Sequence, residues 1–248
     1  MDSNETDLII GRNAVLEALK AGRPADHLLV AKGSDKGPTV PIIAKCRERN
    51  IPVKFADVKK LDFASSHGAH QGVILYAAAH RFATVDDMFA LARERGEKPF
   101  IIVCDGLEDP HNLGAIIRSA EAAGAHGVII PERRSVSLTG TVGKASAGAL
   151  EYVPVARVVN LSKTVDELKE RGLWVWAADM DGSDYAKTDV SGAVALVVGG
   201  EGKGVSRLVG EHCDGKLSIP MNGRINSLNA SVAAGILMFR VAEVRKNS

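Results

Sequence analysis

Three loops hold the residues of this 248-residue chain whose types and spacing suit chemistry. The first, DGLEDPHNLGAIIRSAEAAGA (105–125), joins a strand to a helix. Asn112 sits where an N-cap belongs, Gly114 permits close approach, and Arg118 stands in the small apolar run AIIRSAEAAG. Turn and cap chemistry accounts for Asp109, Pro110 and Asn112. It does not account for Arg118, which must either pair with a carboxylate or face an anion. The second loop, VVGGEGKGVS (197–206), leaves an apolar strand with Gly199, Gly200, Gly202 and Gly204. Such glycines let a backbone turn sharply or approach a flat ligand, and Glu201 and Lys203 between them read as solvent-exposed. The third, SIPMNGRINSLNASVAAGILMF (218–239), ends a strand at Ile219-Pro220-Met221 and turns at Asn222-Gly223. It then gathers Asn226, Ser227 and Asn229 around Leu228 at a helix start. Capping accounts for one of Asn226 and Ser227, not for three hydrogen-bonding side chains. The small residues Ala230, Ala233, Ala234 and Gly235 imply close packing on another helix, within the chain or across a subunit interface.

Common signatures fail. A Walker A loop needs a glycine at position 197 or 138, where Val197 and Leu138 stand, and Gly204 and Ala145 replace its Ser/Thr. No strand is followed by G-x-G-x-x-G, so neither a nicotinamide site nor the glycine-rich loop of Rossmann-type methyltransferases is present, and no G-x-S-x-G elbow occurs. The seven histidines are scattered, so no metal site is expected. His111 reads as a loop residue, and His67 and His70 as turn residues within reach of RNA.

The elements that must position these loops alternate. Up to residue 78, helical spacing at 13–22, 40–50 and 58–65 is interleaved with strands at 27–32, 52–57 and 72–78, a small sheet covered by helices. Residues 79–99 read as a linker carrying one helix, with Thr84 as N-cap and Asp87 three residues on. From Phe100, continuous apolar strands at 100–106, 127–132, 153–158, 173–179, 193–200 and 216–221 alternate with helices near 113–123, 139–150, 162–172, 205–211 and 227–245. Strands without period-2 alternation are buried on both faces, so this part is a doubly wound α/β fold with a mostly parallel sheet. Ligands in such folds bind beyond the strands' carboxyl ends, at the loops after Gly106, Gly199 and Met221. The expected domains are 1–78, a 79–99 linker and 100–248.

Composition sets the class. Apolar residues are 46% and charged residues 25%, ordinary for a soluble globular chain. The acidic start, Met1 to Asp7, does not read as an export signal, no apolar run is long enough to span a membrane, and Cys46, Cys104 and Cys213 are unclustered. A cytoplasmic protein with free thiols is expected. Net charge is +1, which supplies no global field to attract nucleic acid. Locally, Lys32, Lys36, Lys45, Arg47, Arg49, Lys54, Lys59 and Lys60 outnumber Asp35, Glu48 and Asp57, an excess that either meets phosphates or is a solvated face. With aromatics at 4%, a platform of stacked bases is not expected.

The three loops, in this order, resemble the motifs of the SpoU (TrmH) branch of the SPOUT RNA methyltransferases, over residues 100–248. The first 78 residues, with GRNAVLEAL (11–19) and HQGV (70–73), resemble the ribosomal-protein-like substrate-binding domain of bacterial 23S rRNA guanosine-2′-O-methyltransferases. The resemblance implies a trefoil-knotted catalytic domain, a homodimer with active sites at or near its interface, and S-adenosylmethionine as cofactor. It implies cofactor contacts at Gly199, Ile219 and Leu228, with Leu196, Gly200 and Met221 nearby. Catalytic or substrate-ordering roles fall on Asn112, Arg118, Glu201, Ser227 and Asn229, and less firmly on Asn226. The implied reaction is 2′-O-methylation of a ribose, of a guanosine in 23S rRNA. The alternatives are a tRNA substrate and a catalytically silent ribosome-assembly factor. A ribose hydroxyl is a poor nucleophile, so the residues must place it in line and ease loss of its proton. A guanidinium stays protonated in proteins, which suits Arg118 to stabilising a developing alkoxide and a neighbouring phosphate while Asn112, Ser227 and Asn229 fix the geometry.

Overall fold

The computed structural model describes residues 6–224 and 227–247, so Asn226 lies outside the described residues. In chain order the elements are β1 (Thr6–Ile10), α1 (Arg12–Lys20), β2 (Ala25–Ala31), α2 (Val40–Glu48), β3 (Val53–Ala56), α3 (Val58–Ala64), β4 (Val73–Ala78), α4 (Val85–Arg95), β5 (Phe100–Asp105) and α5 (Pro110–Ala122). They continue with β6 (Gly127–Pro131), α6 (Gly140–Ala145), β7 (Val155–Val158), α7 (Leu161–Glu170), β8 (Trp174–Asp184), β9 (Val194–Gly199), α8 (Arg207–His212), β10 (Gly215–Ser218) and α9 (Ala230–Lys246). Two compact units result: residues up to Arg81 together with Leu138–Tyr152, and Phe82–Ser137 together with Val153 onward.

The first unit is a four-stranded sheet in the order β1-β4-β2-β3. β2 and β3 are parallel, and β4 runs antiparallel to β1 and β2. Alternation along β2 divides its residues between two cores. Leu28 and Val30 join Val15, Leu19 and Ile42 under α1 and α2, while Leu29 and Ala31 join Ala56, Ile74 and Leu61 of α3. Strand β1 was not expected, because acidic residues lead into Leu8–Ile10 and its pairing with β4 is long-range.

A buried arginine closes this unit. The Arg23 guanidinium, 8% exposed, pairs with Asp7 and with Glu151 at 2.8 Å and donates to the Ala78 carbonyl. Arg49 is similarly occupied, donating to the carbonyls of Leu19, Gly22 and Arg23. The 139–150 stretch, expected to be one helix of the second part, is instead α6 and a 3-10 turn at Ala149–Glu151, and it groups with the first unit. Ala147 and Gly148 interrupt it at φ 52° and 96°. A Cβ at Gly148 would lie 2.5 Å from that of Glu17, so only glycine lets the turn settle on α1.

The second unit is a wholly parallel six-stranded sheet, β10-β8-β9-β5-β6-β7. Phe100 to Cys104 of β5 are fully buried, as strands covered on both faces must be. One face packs on α4, α7 and α8 through Met88, Val165, Leu168 and Val209. The helix expected at Thr84 forms, and its reciprocal capping box with Asp87 is complete. From β9 the chain crosses past β8 to the sheet edge at β10, then returns as α9 to pack on α5 and β9. Two of the four small residues of α9 serve this packing: Ala234 is fully buried, and a Cβ at Gly235 would meet Ser119 of α5 at 3.8 Å, whereas Ala230 and Ala233 line a cleft beside it.

Candidate active site

The glycine loop after β9 folds back on itself. Gly204 N–H donates to the Gly200 carbonyl at 3.0 Å and Gly200 N–H to that of Asp105 at 2.9 Å, while the Asp105 carboxylate accepts from Ser206 N–H at 2.7 Å. A Cβ at Gly199 would sit 1.9 Å from the Gly204 carbonyl carbon, and one at Gly200 would sit 2.4 Å from the Gly106 oxygen. Both glycines are therefore required by close approach of backbone to backbone, the sharp-turn reading of their role. Gly202 and Gly204 complete the turn at φ 77° and 61°.

The fold clamps Glu201, carried by this loop, between two helix starts. Its Oε1 accepts from Asn112 Nδ2 at 3.0 Å and Asn229 Nδ2 at 2.6 Å, and the Asn112 Oδ1 accepts from Asn229 Nδ2 at 2.9 Å. Asn112 is buried in the first turn of α5. It is not the cap expected there. Asp109 caps α5 by accepting from His111 N–H, and Pro110 occupies the first turn, where its missing N–H costs nothing. Asn112 is thereby free to face Glu201. The helix expected from residue 227 starts at Ala230, and its cap is Asn229 and not Ser227, the Asn229 Oδ1 accepting from Ser231 and Val232 N–H at 2.9 and 3.2 Å while its amide serves the network. Asn112 and Asn229, 117 positions apart, thus converge on one carboxylate with amide donors and no cation among the described residues.

Beside this network lies a cleft of about 660 Å³, within the size range of small-molecule sites. Gly199, Gly200, Glu201, Ile219, Met221, Ser227, Leu228 and Asn229 line it. Leu196 does not. It is buried in β9 opposite Ile102 and Trp176, on the same strand side as the cleft-lining Val198 but deeper. Ser227 is exposed. Arg118 is not brought into the network: it lies on α5 six residues beyond Asn112, exposed and without a hydrogen bond or ion pair to any described residue.

Sequence reasoning missed Asp179 and Met180 of β8, which follow its ladder with β9 at Trp174–Ala177 and also line the cleft. The strand-end rule applied to β8 would have found them. Asp179 accepts from Lys216 Nζ at 2.6 Å and from Asp181 N–H at 3.0 Å. These bonds, the lysine's first, hold its carboxyl below the usual range.

Comparison with known proteins places this arrangement. The SpoU rRNA Methylase family matches residues 99–239, and the RNA 2'-O ribose methyltransferase substrate-binding family matches residues 8–83. The chain belongs to the SpoU rRNA methylase family, RNA 2′-O-ribose methyltransferases that use S-adenosylmethionine. It is 48% identical over 244 residues to YacO of Bacillus subtilis (strain 168), assigned by name to the TrmH family of tRNA/rRNA methyltransferases, with 98% of each chain covered. Among solved structures, the AdoMet-bound rRNA methyltransferase of Sinorhizobium meliloti superposes with a TM-score of 0.78 at 26% identity, covering 96% of this chain and 87% of that one. The A. aeolicus TrmH/SpoU tRNA modifying enzyme, at 28% identity and a TM-score of 0.56, covers 66% of this chain and 86% of its own.

Proposed function

We propose that this protein methylates the ribose 2′-oxygen of a guanosine in 23S rRNA, the RlmB type of reaction, acting as a cytoplasmic homodimer. The observation that carries the rRNA reading is the first unit. The solved rRNA methyltransferase aligns with nearly the whole chain, whereas the tRNA modifying enzyme aligns with two-thirds of it. The reading includes a trefoil threading of the chain's return from β10 to α9.

The cleft suits the cofactor in size and lining. Ile219, Met221 and Leu228 offer apolar contact, and the glycine turn at Gly199 and Gly200 offers backbone groups. S-adenosylmethionine, when bound, supplies an activated methyl group. The network of Asn112, Glu201 and Asn229 fixes the starts of α5 and α9, and with them Ser227, so that a ribose oxygen meets preset partners. Arg118 has no partner among the described residues to release before it meets an anion, and in this reading it neutralises the oxygen as its proton leaves, together with an adjoining phosphate.

Arg118 lies outside the cleft lining of its own chain, and in this reading the dimer brings it to the site. The support is an apolar stripe on α9, where Val232 and Phe239, seven residues apart and so on one face, are 50% and 52% exposed. Phe239→Glu is expected to convert the dimer to a monomer in sedimentation and to abolish transfer.

The deciding assay offers labelled S-adenosylmethionine with unmodified 23S rRNA, 16S rRNA and total tRNA in parallel, and maps the product as a 2′-O-methyl block to alkaline cleavage. One guanosine in 23S rRNA is the expected result. Labelling of tRNA alone overturns the substrate assignment, and absence of cofactor binding overturns the enzyme.

A further inference from the structure

The basic excess between Lys32 and Lys60 is not used by the site described above. Much of it is committed within the first unit: Lys45 pairs with Glu48, Lys32 with Asp57, and Arg49 clasps three carbonyls. Lys59 and Lys60 of α3 are exposed, and their side chains have no partner among the described residues. The acid of that helix, Asp62, turns to His70 Nε2 at 3.1 Å. Between these charges stands Phe63, 84% exposed on a helix whose only fully buried side chain is Leu61. At ~100° per residue, Lys59 and Phe63 project about 40° apart and each about 160° from Leu61. The chain then turns through Ser66 and His67 at φ 48° and 60°, with His67 N–H held by the Asp62 carbonyl at 2.7 Å and His67 itself exposed. Packing on the sheet explains Leu61 and nothing on the outward face.

We propose that the outward face of α3 is a contact for single-stranded RNA, with Phe63 stacking on one unpaired base and Lys59 and Lys60 meeting the flanking phosphates. The inference deepens the RNA methyltransferase reading and rests on it. Charge complementarity selects the occupant. Lysine is depleted in protein–protein interfaces, whereas an exposed ring beside unpaired lysines is what a splayed base and its backbone require. It is a single ring, in keeping with the low aromatic content, so it grips one base of a loop and does not read a sequence.

The test measures anisotropy of a fluorescein-labelled RNA hairpin with an unpaired loop, and of a fully paired duplex, with the full-length protein across a salt series. Phe63→Ala is expected to weaken hairpin binding about tenfold, with an unchanged salt slope and duplex binding unaffected. Phe63→Trp is expected to restore it. Lys59→Ala with Lys60→Ala is expected to weaken binding of both RNAs and to reduce the hairpin's log–log salt slope by about 1 to 1.5. S-adenosylmethionine binding, read by calorimetry, stays at the wild-type value in every variant. Wild-type hairpin affinity in Phe63→Ala overturns the proposal alone and leaves the face to a protein partner. Failure of the wild-type protein to bind either RNA overturns it together with the reading beneath it.

Discussion

The two units each gather distant polar side chains, and they do so in opposite ways. In the first, Arg23 meets Asp7, Glu151 and the Ala78 carbonyl, so that the guanidinium's donors find acceptors and two carboxylates share its charge. In the second, Glu201 is met by two amides and by no cation among the described residues, at the lip of a cleft, while Arg118 stands exposed, with no partner among the described residues, on the helix that carries Asn112. A closed cluster fastens chain segments. An unmatched carboxylate, a free guanidinium and a cavity leave valences for a ligand. Burial alone does not separate the two, since Asn112 is as inaccessible as Arg23; completeness of pairing does.

Removing Arg23 should have the largest effect on folding. Arg23→Met leaves the Asp7 and Glu151 carboxylates without their cation, and the expected destabilisation is about 3–5 kcal/mol, read as a lower denaturant midpoint. S-adenosylmethionine binding by the surviving folded protein is expected to be unchanged. If stability were unaffected, the cluster would not be a fastening at all. Arg118→Ala should do the reverse, lowering methyl transfer by about 10²–10³-fold with no change in melting temperature, because no described residue pairs with its exposed guanidinium. Arg118→Lys should not restore turnover if the planar fork matters.

Acid offers a third way to separate the two regions. Burial, and then the charge of Arg23, push His80 beside the closed cluster down from its ordinary value near 6.5 to about 4. Its neutral form is the folded one. The stability this contributes is complete above pH 6.5 and is lost as pH falls from 6.5 towards 4, because the unfolded chain binds the proton first. A loss of up to about 3 kcal/mol is expected across that window. His80→Gln should flatten the dependence in chemical denaturation performed between pH 7 and 4.

Local chemistry was legible in the sequence. Apolar runs marked the six strands of the second unit, Thr84 and Asp87 marked a helix start, and the second and third loops marked the cleft, which Gly199, Gly200, Ile219, Met221, Ser227 and Leu228 line. The first loop contributes no lining residue and reaches the site through the Asn112 side chain on Glu201. What escaped depended on partners far along the chain. Strand β1 exists because β4 pairs with it. Leu138–Tyr152 groups with the first unit because Arg23 and Glu17 reach Glu151 and Tyr152. Asn112 could not be told from a cap by spacing, since Asp109 and Pro110 supply an equally good helix start three residues earlier. Position in a motif puts Leu196 near the cofactor, and it is buried in β9 two residues before the cleft-lining Val198, not in the lining itself.

The central claim is that the network on Glu201 serves catalysis and not folding. Glu201→Gln keeps the shape and removes the charge, so single-turnover methyl transfer to 23S rRNA and the melting temperature of the same preparation test it together. The account predicts transfer slowed about 100-fold or more at an unchanged melting temperature. A melting temperature lowered by several degrees with wild-type turnover would contradict it, and would make this network a fastening of the same kind as that on Arg23.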